Sequence, residues 1–360
     1  MTNVALKILT ASATFAVAAA AYPVDYLING GFENPDPGGY YGGGIQGWIG
    51  QGEGAPHANH ATPGNGTLGT GFGYYTPRDN NNTSVFRQDI GITPLPGAKY
   101  NFRSWAFGGG NALGTAIYQI GFLIGGGFID LATRTYEVKA TSWQSFAGVT
   151  WIAPQQRLAN DLLVVQFGPA LFNGKGDNSD LWVDKSEFLE DLQPSTGILS
   201  GTLTLEDFAP ADDQAYLETI RTPIQFELVD PLGNIAETVL TTLDNDNKFL
   251  IWTNLRGEYS LRAKARTWLS QSIPVSVTNA GVSGLNYSLA NGDIDGDDMV
   301  TVFDYDKLSA YFDATNTGYM FWNMQDAEGN ARRDADLDKD GAVTVFDYDV
   351  LSKNFDRSGS

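Results

Sequence analysis

The sequence predicts a mostly β chain, two β-sandwiches in series, closed by a small α module. Three observations carry that expectation. Up to about Asn291 the chain is built from short runs alternating apolar and polar residues, separated by glycine, proline and asparagine clusters. After that point an acidic loop occurs twice, forty-three residues apart, and each copy runs into residues at helical spacing. Charge also shifts abruptly: of the net −20, the last seventy-one residues hold half, with sixteen Asp and Glu against six Lys and Arg. A length of 360 residues suits two or three domains.

At the amino terminus, Lys7 precedes an apolar or small stretch from Ile8 to Ala20, and Ala18, Ala19 and Ala20 suit a signal peptidase. Residues 1–20 are therefore expected to be a secretory signal, too short to span a bilayer as a helix. The mature chain is expected outside the cell or at its surface, without a membrane span. Cysteine is absent, so no disulfide framework accompanies export.

Residues 21–194 read as one β domain, with strands over Ala98 to Trp105, Tyr118 to Ile124, Trp143 to Trp151 and Leu162 to Phe167. Trp48, Trp105 and Trp143 are expected in its core. The phrases Asn29-Gly30-Gly31-Phe32-Glu33, Leu95-Pro96-Gly97-Ala98-Lys99-Tyr100 and Leu181-Trp182-Val183-Asp184 resemble the galactose-binding-like jelly roll of many carbohydrate-binding modules. That resemblance implies adjacent first and last strands and a structural calcium near them. Glu33 and Asp184 match its acidic positions; each is a calcium ligand, an edge hydrogen bond or an exposed charge. Sugar binding needs aromatic faces beside amide and charged groups. Tyr74, Tyr75, Arg78 and Asn80, with Asp79, Asn81 and Asn82, bring both together, and Tyr40 and Tyr41 form a second candidate.

Residues 195–291 show six or seven short strands: Ile198 to Leu205, Ile224 to Leu228, Thr238 to Leu243, Phe249 to Trp252, Tyr259 to Ala265 and Ile273 to Val277. This spacing suits a small Ig-like sandwich. The phrase from Phe249 to Trp252 and on to Leu255-Arg256-Gly257-Glu258-Tyr259 resembles the carboxypeptidase regulatory-like domain, which implies a spacer without catalytic groups.

Residues 292–360 hold the duplicated loops. Asp293, Asp295, Asp297 and Asp304 stand at places one, three, five and twelve; Asp336, Asp338, Asp340 and Asp347 repeat them. A hard cation such as Ca²⁺ takes about six to eight oxygens, and alternate aspartates on a tight turn supply them. The backbone carbonyls of Met299 and Ala342 at place seven, and a water held by Thr301 and Thr344 at place nine, would complete two sites. Val300 and Val343 are expected to pair the loops back to back. Place six, where the chain turns at positive φ, is Gly341 in the second loop but Asp298 in the first. Tyr305, Leu308 and Phe312, and equally Tyr348, Leu351 and Phe355, predict one apolar helix face per copy. Leu285, Tyr287 and Leu289 alternate like a strand, so no helix is expected to enter the first loop.

A duplicated loop-plus-helix with Asp at place twelve resembles the type I dockerin domain. It implies two bound Ca²⁺ ions and docking onto a cohesin or other cell-surface partner, often in polysaccharide degradation. Recognition in that family uses places ten and eleven, here Val302, Phe303, Val345 and Phe346; these side chains either contact the partner or pack the small core. The longer connection from Ala314 to Arg333 carries Tyr319, Phe321 and Trp322.

The acidic balance leaves no basic face for nucleic acid. No cysteine exists, and His57 and His60 lie in a glycine-rich loop without a serine motif, so nucleophilic catalysis has no constellation to use. The reading is a non-catalytic adhesion protein that binds glycan with one end and docks with the other. Two alternatives are a self-assembling surface or matrix subunit and a glycan-degrading enzyme working through paired carboxylates.

Overall fold

The computed structural model describes residues 24–28, 47–51, 57–60, 71–75, 85–109, 114–124, 127–138, 143–155, 163–170, 180–194, 196–210, 218–219, 221–317, 322 and 330–360. The expected signal at 1–20, Glu33, Tyr40, Tyr41, Arg78, Asn80, Tyr319 and Phe321 lie outside them. The described chain is mostly β, as expected, with helices in its C-terminal part and helical residues also at 218–219.

The first eleven strands are β1 (Val24–Asp25), β2 (Ile49–Gln51), β3 (His57–His60), β4 (Gly71–Tyr75), β5 (Val85–Asp89), β6 (Lys99–Gly109), β7 (Gly114–Ile124), β8 (Gly127–Val138), β9 (Gln144–Ile152), β10 (Leu163–Ala170) and β11 (Asp180–Asp191). His57 and His60, expected in a loop, therefore belong to a strand. One sheet runs β2-β5-β10-β7-β8, and β9-β6-β11-β4-β3 lies in a second. β1 pairs with β11 through Val24 opposite Glu190 and Asp25 opposite Leu189, so the first and last strands described here are neighbours. The long strands alternate as pleating requires. In β6, Tyr100, Phe102, Ser104 and Ala106 point inward, while Arg103 is exposed and Trp105 half-buried. Tyr100, Phe102, Tyr118, Phe122, Trp151 and Phe188 form the centre of this core. Trp48 belongs to it; Trp105 and Trp143, expected there, are half-buried.

Seven further strands follow: β12 (Ile198–Leu205), β13 (Ile224–Val229), β14 (Ile235–Thr241), β15 (Lys248–Trp252), β16 (Gly257–Ala265), β17 (Trp268–Val277) and β18 (Val282–Leu289). β15-β12-β18 form one sheet, β17-β16-β13-β14 face it, and Phe226, Phe249, Leu261 and Tyr287 pack between them. Gly201 permits the close parallel pairing of β12 and β18, because a Cβ there would lie 1.9 Å from the Leu285 carbonyl oxygen.

These two sandwiches are joined edge to edge. β14 pairs in parallel with β9, placing Leu240 opposite Trp151 and Thr241 opposite Ile152, so one sheet runs through both. Each core takes a residue from the other side, Leu240 in the first and Ile152 in the second. Trp151 Nε1 donates to Thr242 Oγ1 at 3.3 Å, and Trp252 Nε1 donates to the Gly97 carbonyl at 2.9 Å.

The C-terminal part contains α1 (Val302–Tyr311), α2 (Arg332–Ala335) and α3 (Val345–Asn354). The strand β18 leads into the first loop, as expected, while a short helix, α2, precedes the second. The helical stripe also divides. Leu308 and Leu351 are buried, while Tyr305, Phe312, Tyr348 and Phe355 are exposed. Buried Asp304 and Asp347 occupy the inward face in the first turn of α1 and α3, which leaves the aromatics outside. Trp322 closes this core beside Leu269 and Ala290 of the middle sandwich.

Trp151→Ala removes a fully buried ring at the junction and is expected to cost about 3–5 kcal/mol in denaturant unfolding of the whole chain. An unchanged unfolding midpoint would contradict the shared-core description.

Candidate metal centre

Each acidic loop is closed by its twelfth residue. Asp304 Oδ1 accepts from the backbone N–H of Ile294 at 2.6 Å and Asp295 at 3.1 Å, while Oδ2 accepts from Thr301 N at 2.7 Å. Asp347 repeats this with Leu337 at 2.5 Å, Asp338 at 3.3 Å and Thr344 at 2.7 Å. One carboxylate thus ties the start of the loop to the start of the helix. Thr301 and Thr344 are the helix N-caps, and their hydroxyls accept from Phe303 N and Phe346 N at 3.2 Å. With Asp304 and Asp347 at the third helical position they complete two capping boxes.

The intermediate aspartates shape the turns. Asp295 Oδ1 accepts from Asp297 N and Asp297 Oδ1 from Met299 N; Asp338 and Asp340 do the same for Asp340 N and Ala342 N. Asp293, Asp295 and Asp297 bring carboxylate oxygens within 4.8 Å of one another, as do Asp336, Asp338 and Asp347. Asp293, Asp304 and Asp347 are fully buried, and Asp336 nearly so. Asp336 Oδ1 has no hydrogen-bond partner among the described residues. An ionised oxygen in that position is costly to bury. All-oxygen donors around it fit a hard divalent cation, and both clusters could hold a metal ion. Asp304 and Asp340 stand outside the two tightest groupings.

Val300 and Val343 are fully buried, but they do not pair with each other as expected. Val300 N donates to the Arg357 carbonyl and accepts, through its own carbonyl, from Asp356 N; Val343 exchanges the equivalent bonds with Asp313 and Ala314. Met299 bridges to Ser358 and Ala342 to Thr315. Each loop is therefore strapped by the segment that follows the other loop's helix. Those segments turn back at Asp313 and Asp356, both at positive φ, and so reach the opposite loop.

Val302, Phe303, Val345 and Phe346 are 52%, 63%, 53% and 62% exposed, which excludes core packing for all four. Tyr305 and Tyr348 meet edge to face at 6.0 Å between α1 and α3. Together with Met299, Phe312 and Phe355 they form exposed apolar surface on both copies.

In the first sandwich, Asp184 is buried, with Oδ1 accepting from Lys185 N at 2.7 Å; this excludes the exposed-charge reading. It begins a bulge in the pairing of β11 with β6, where Lys185 takes a φ of 45°. Tyr74 and Tyr75 lie in β4 opposite Trp182 and Leu181, with their side chains outside the described set. Sequence reasoning missed the outer face beside that bulge. A depression of about 460 Å³ is lined there by Arg103, Trp105, Ser145, Phe146, Lys185 and Glu187, and Arg103 Nε donates to Glu187 at 2.7 Å. The outward positions of Arg103 and Trp105 in alternation with core residues were the available signal.

No protein-family model matches the chain, and no curated protein matches it. Among solved structures it is similar to a type II cohesin–X–dockerin complex from Acetivibrio cellulolyticus (19% identity, TM-score 0.34, 45% of this chain and 97% of that one). It is also similar to the CBM22-1 xylan-binding domain of Paenibacillus barcinonensis Xyn10C (14%, TM-score 0.35, 48% and 97%). The CBM22-1–CBM22-2 tandem of that enzyme matches at 10%, TM-score 0.35, over 74% and 90%. At these values the matches identify no family and assign no ligand.

Burial pushes Asp293 up to about 6 and raises Asp304, Asp336, Asp338 and Asp347 above the usual carboxylate range. In metal-free protein such groups favour folding below the ordinary carboxylate pKa, and that contribution is lost as pH rises through the raised values. A bound cation needs the ionised forms and so has the opposite dependence. The rise in melting temperature on adding calcium is expected to be larger at about pH 7.5 than at about pH 5, by calorimetry. An equal rise at both would contradict these shifts.

Proposed function

We propose that this chain is a secreted, non-catalytic adhesion and scaffolding protein whose C-terminal part is a dockerin-like module built by two Ca²⁺ ions. The observation that carries the reading is the buried Asp336 carboxylate with one oxygen unpartnered among the described residues, inside a loop that occurs twice. Asp293, Asp295, Asp297 and the Met299 carbonyl would hold one ion with Asp304 closing the loop. Asp336, Asp338, Asp340, the Ala342 carbonyl and Asp347 would hold the other. Bound calcium supplies the positive charge that lets these carboxylates lie together ionised. At free calcium 100 times the dissociation constant, each ion would add about 2.7 kcal/mol to stability.

The partner is a cohesin-like or other cell-surface protein, met by the exposed pairs Val302–Phe303 and Val345–Phe346. Between docking module and glycan end stands an Ig-like spacer, the seven-strand middle sandwich. The first sandwich is a carbohydrate-binding jelly roll. Its outer depression is lined by Trp105, an aromatic side chain of the kind that stacks on sugar rings, and by the ion-paired Arg103 and Glu187, whose polar groups suit hydroxyls. Neighbouring Tyr74 and Tyr75 extend the same sheet. Export through residues 1–20 would place the protein where calcium is plentiful. No described helix is long and apolar enough to cross a membrane.

Pull-down from the native secretome with and without chelator tests the docking half. The double variant Phe303→Ser, Phe346→Ser is expected to lose partner capture at least about tenfold while its calcium-loaded melting temperature stays near that of the parent. Undiminished capture would exclude these pairs from the interface. For the glycan half, Trp105→Ala is expected to abolish retardation in polysaccharide affinity gels; unchanged retardation would move the sugar site elsewhere.

A further inference from the structure

Each acidic loop turns twice through positive φ, at places four and six. In the first loop these are Gly296 at 81° and Asp298 at 70°; in the second they are Lys339 at 66° and Gly341 at 96°. A side chain at such a position carries a conformational cost, and each loop accepts it once.

Both exceptions are fastened to neighbouring structure. Asp298 accepts from Ser270 N at 2.7 Å, Ser270 Oγ at 2.5 Å and Lys264 Nζ at 3.1 Å. These bonds outweigh burial and hold its carboxyl below the usual range. Lys339 Nζ donates to the carbonyls of Arg333 at 2.8 Å and Asp336 at 2.5 Å, and lies 5.5 Å over the Trp268 ring. Trp268 and Ser270 belong to β17, so both loops are anchored on one strand of the middle sandwich.

Lys264, from β16, reaches further into the first loop. Its Nζ lies 2.5 Å from Asp293 Oδ2, at place one. Asp293 is then fully engaged, since Oδ1 accepts from Gly296 N at 2.9 Å and Oδ2 also accepts from Asp298 N at 3.1 Å. Place one of the second loop differs. Asp336 Oδ2 accepts from Gly341 N at 3.1 Å, while its buried Oδ1 has no partner among the described residues. The charge of the Lys339 ammonium also acts on Asp336 and Asp347, but unlike that of Lys264 its hydrogen bonds go to backbone carbonyls and leave Oδ1 of Asp336 without one.

We propose that Lys264 is an internal counter-cation of the first loop, which makes the two loops an unequal pair. The second takes calcium tightly, and the first takes it only at higher concentration, when the ion displaces the ammonium from Asp293. The inference rests on the calcium reading above and adds to it a graded response. An ion and an ammonium competing for one carboxylate oxygen repel each other, so the incoming cation loses affinity. Until it arrives, Lys264 and Asp298 keep the first loop closed and seated on β17. Calcium at low concentration would then order the second loop, and a higher concentration would complete the first.

Calorimetric titration of the full chain with CaCl₂ tests this. The parent is expected to show two classes of site separated by at least about tenfold in dissociation constant, with Asp295→Ala removing the weaker class and Asp338→Ala the tighter. Lys264→Met is expected to tighten the weaker class by about tenfold and leave the tighter one unchanged. It should also lower the melting temperature in EDTA but not in millimolar calcium, where the ion replaces the ammonium. A merely structural ion pair would lower it in both. Should the Met variant fail to fold, Lys264→Arg keeps the charge and must retain a weak first site. Two equal sites in the parent, or a weaker class that Lys264→Met leaves unchanged, would overturn the proposal while the calcium reading stands. Absence of calcium binding to either loop would overturn both.

Discussion

Carboxylates gathered in one buried loop repel each other, and the C-terminal module is organised around answering that repulsion. Part of the answer is in the chain itself. Asp304 and Asp347 each collect three backbone N–H groups, which satisfy the oxygens of the twelfth residue and set the first turn of the following helix. Among the remaining loop aspartates, Asp295, Asp297, Asp336, Asp338 and Asp340 each give one oxygen to a turn, and Asp293 gives both. What they lack is positive charge. The first loop draws some from Lys264, bonded to Asp293, and the second some from the nearby Lys339, which still leaves Asp336 with an oxygen that has no hydrogen-bond partner among the described residues, so the demand for a cation is sharpest there.

That chemistry is linked to the surface through the crosswise straps. Val300 is held by the segment after α3 and Val343 by the segment after α1, so neither half closes without the other. With Leu308 and Leu351 committed to the shared core, the residues just before and beside them in the first helical turns are forced outward. Exposed Val302, Phe303, Val345 and Phe346 are thus a consequence of loop closure. The middle sandwich supplies the pedestal: β18 runs straight into the first loop, and Trp268, Leu269 and Ser270 of β17 reach both loops. The β9–β14 pairing continues this pedestal into the first sandwich.

Local patterns were legible in the sequence where period and spacing decide them. The strands from Ile198 to Leu205 and Phe249 to Trp252, the helices after each loop and the aspartate ladders follow from alternation, 3.6-residue spacing and repetition. Long-range choices were not. Nothing local says that Val300 would bond to Arg357 rather than meet Val343. The stripe of Tyr305, Leu308 and Phe312 looked uniform, but Asp304 at the inward position turned the aromatics out. Trp105 resembles its core neighbours until the pleat shows it facing away from them. Lys264 stands twenty-nine residues before Asp293, and only the register of β16 against β17 brings it to the loop.

Amide hydrogen exchange is the most direct measurement of whether a cation completes this module. The N–H groups of Ile294, Thr301, Leu337 and Thr344 donate to Asp304 and Asp347, so their protection reports closure of each loop separately. Calcium should slow exchange at Leu337 and Thr344 strongly, and at Ile294 and Thr301 as well, while amides of the two sandwiches stay unchanged. Protection at these four sites that is identical in EDTA and in saturating calcium would contradict a metal-built C-terminal module.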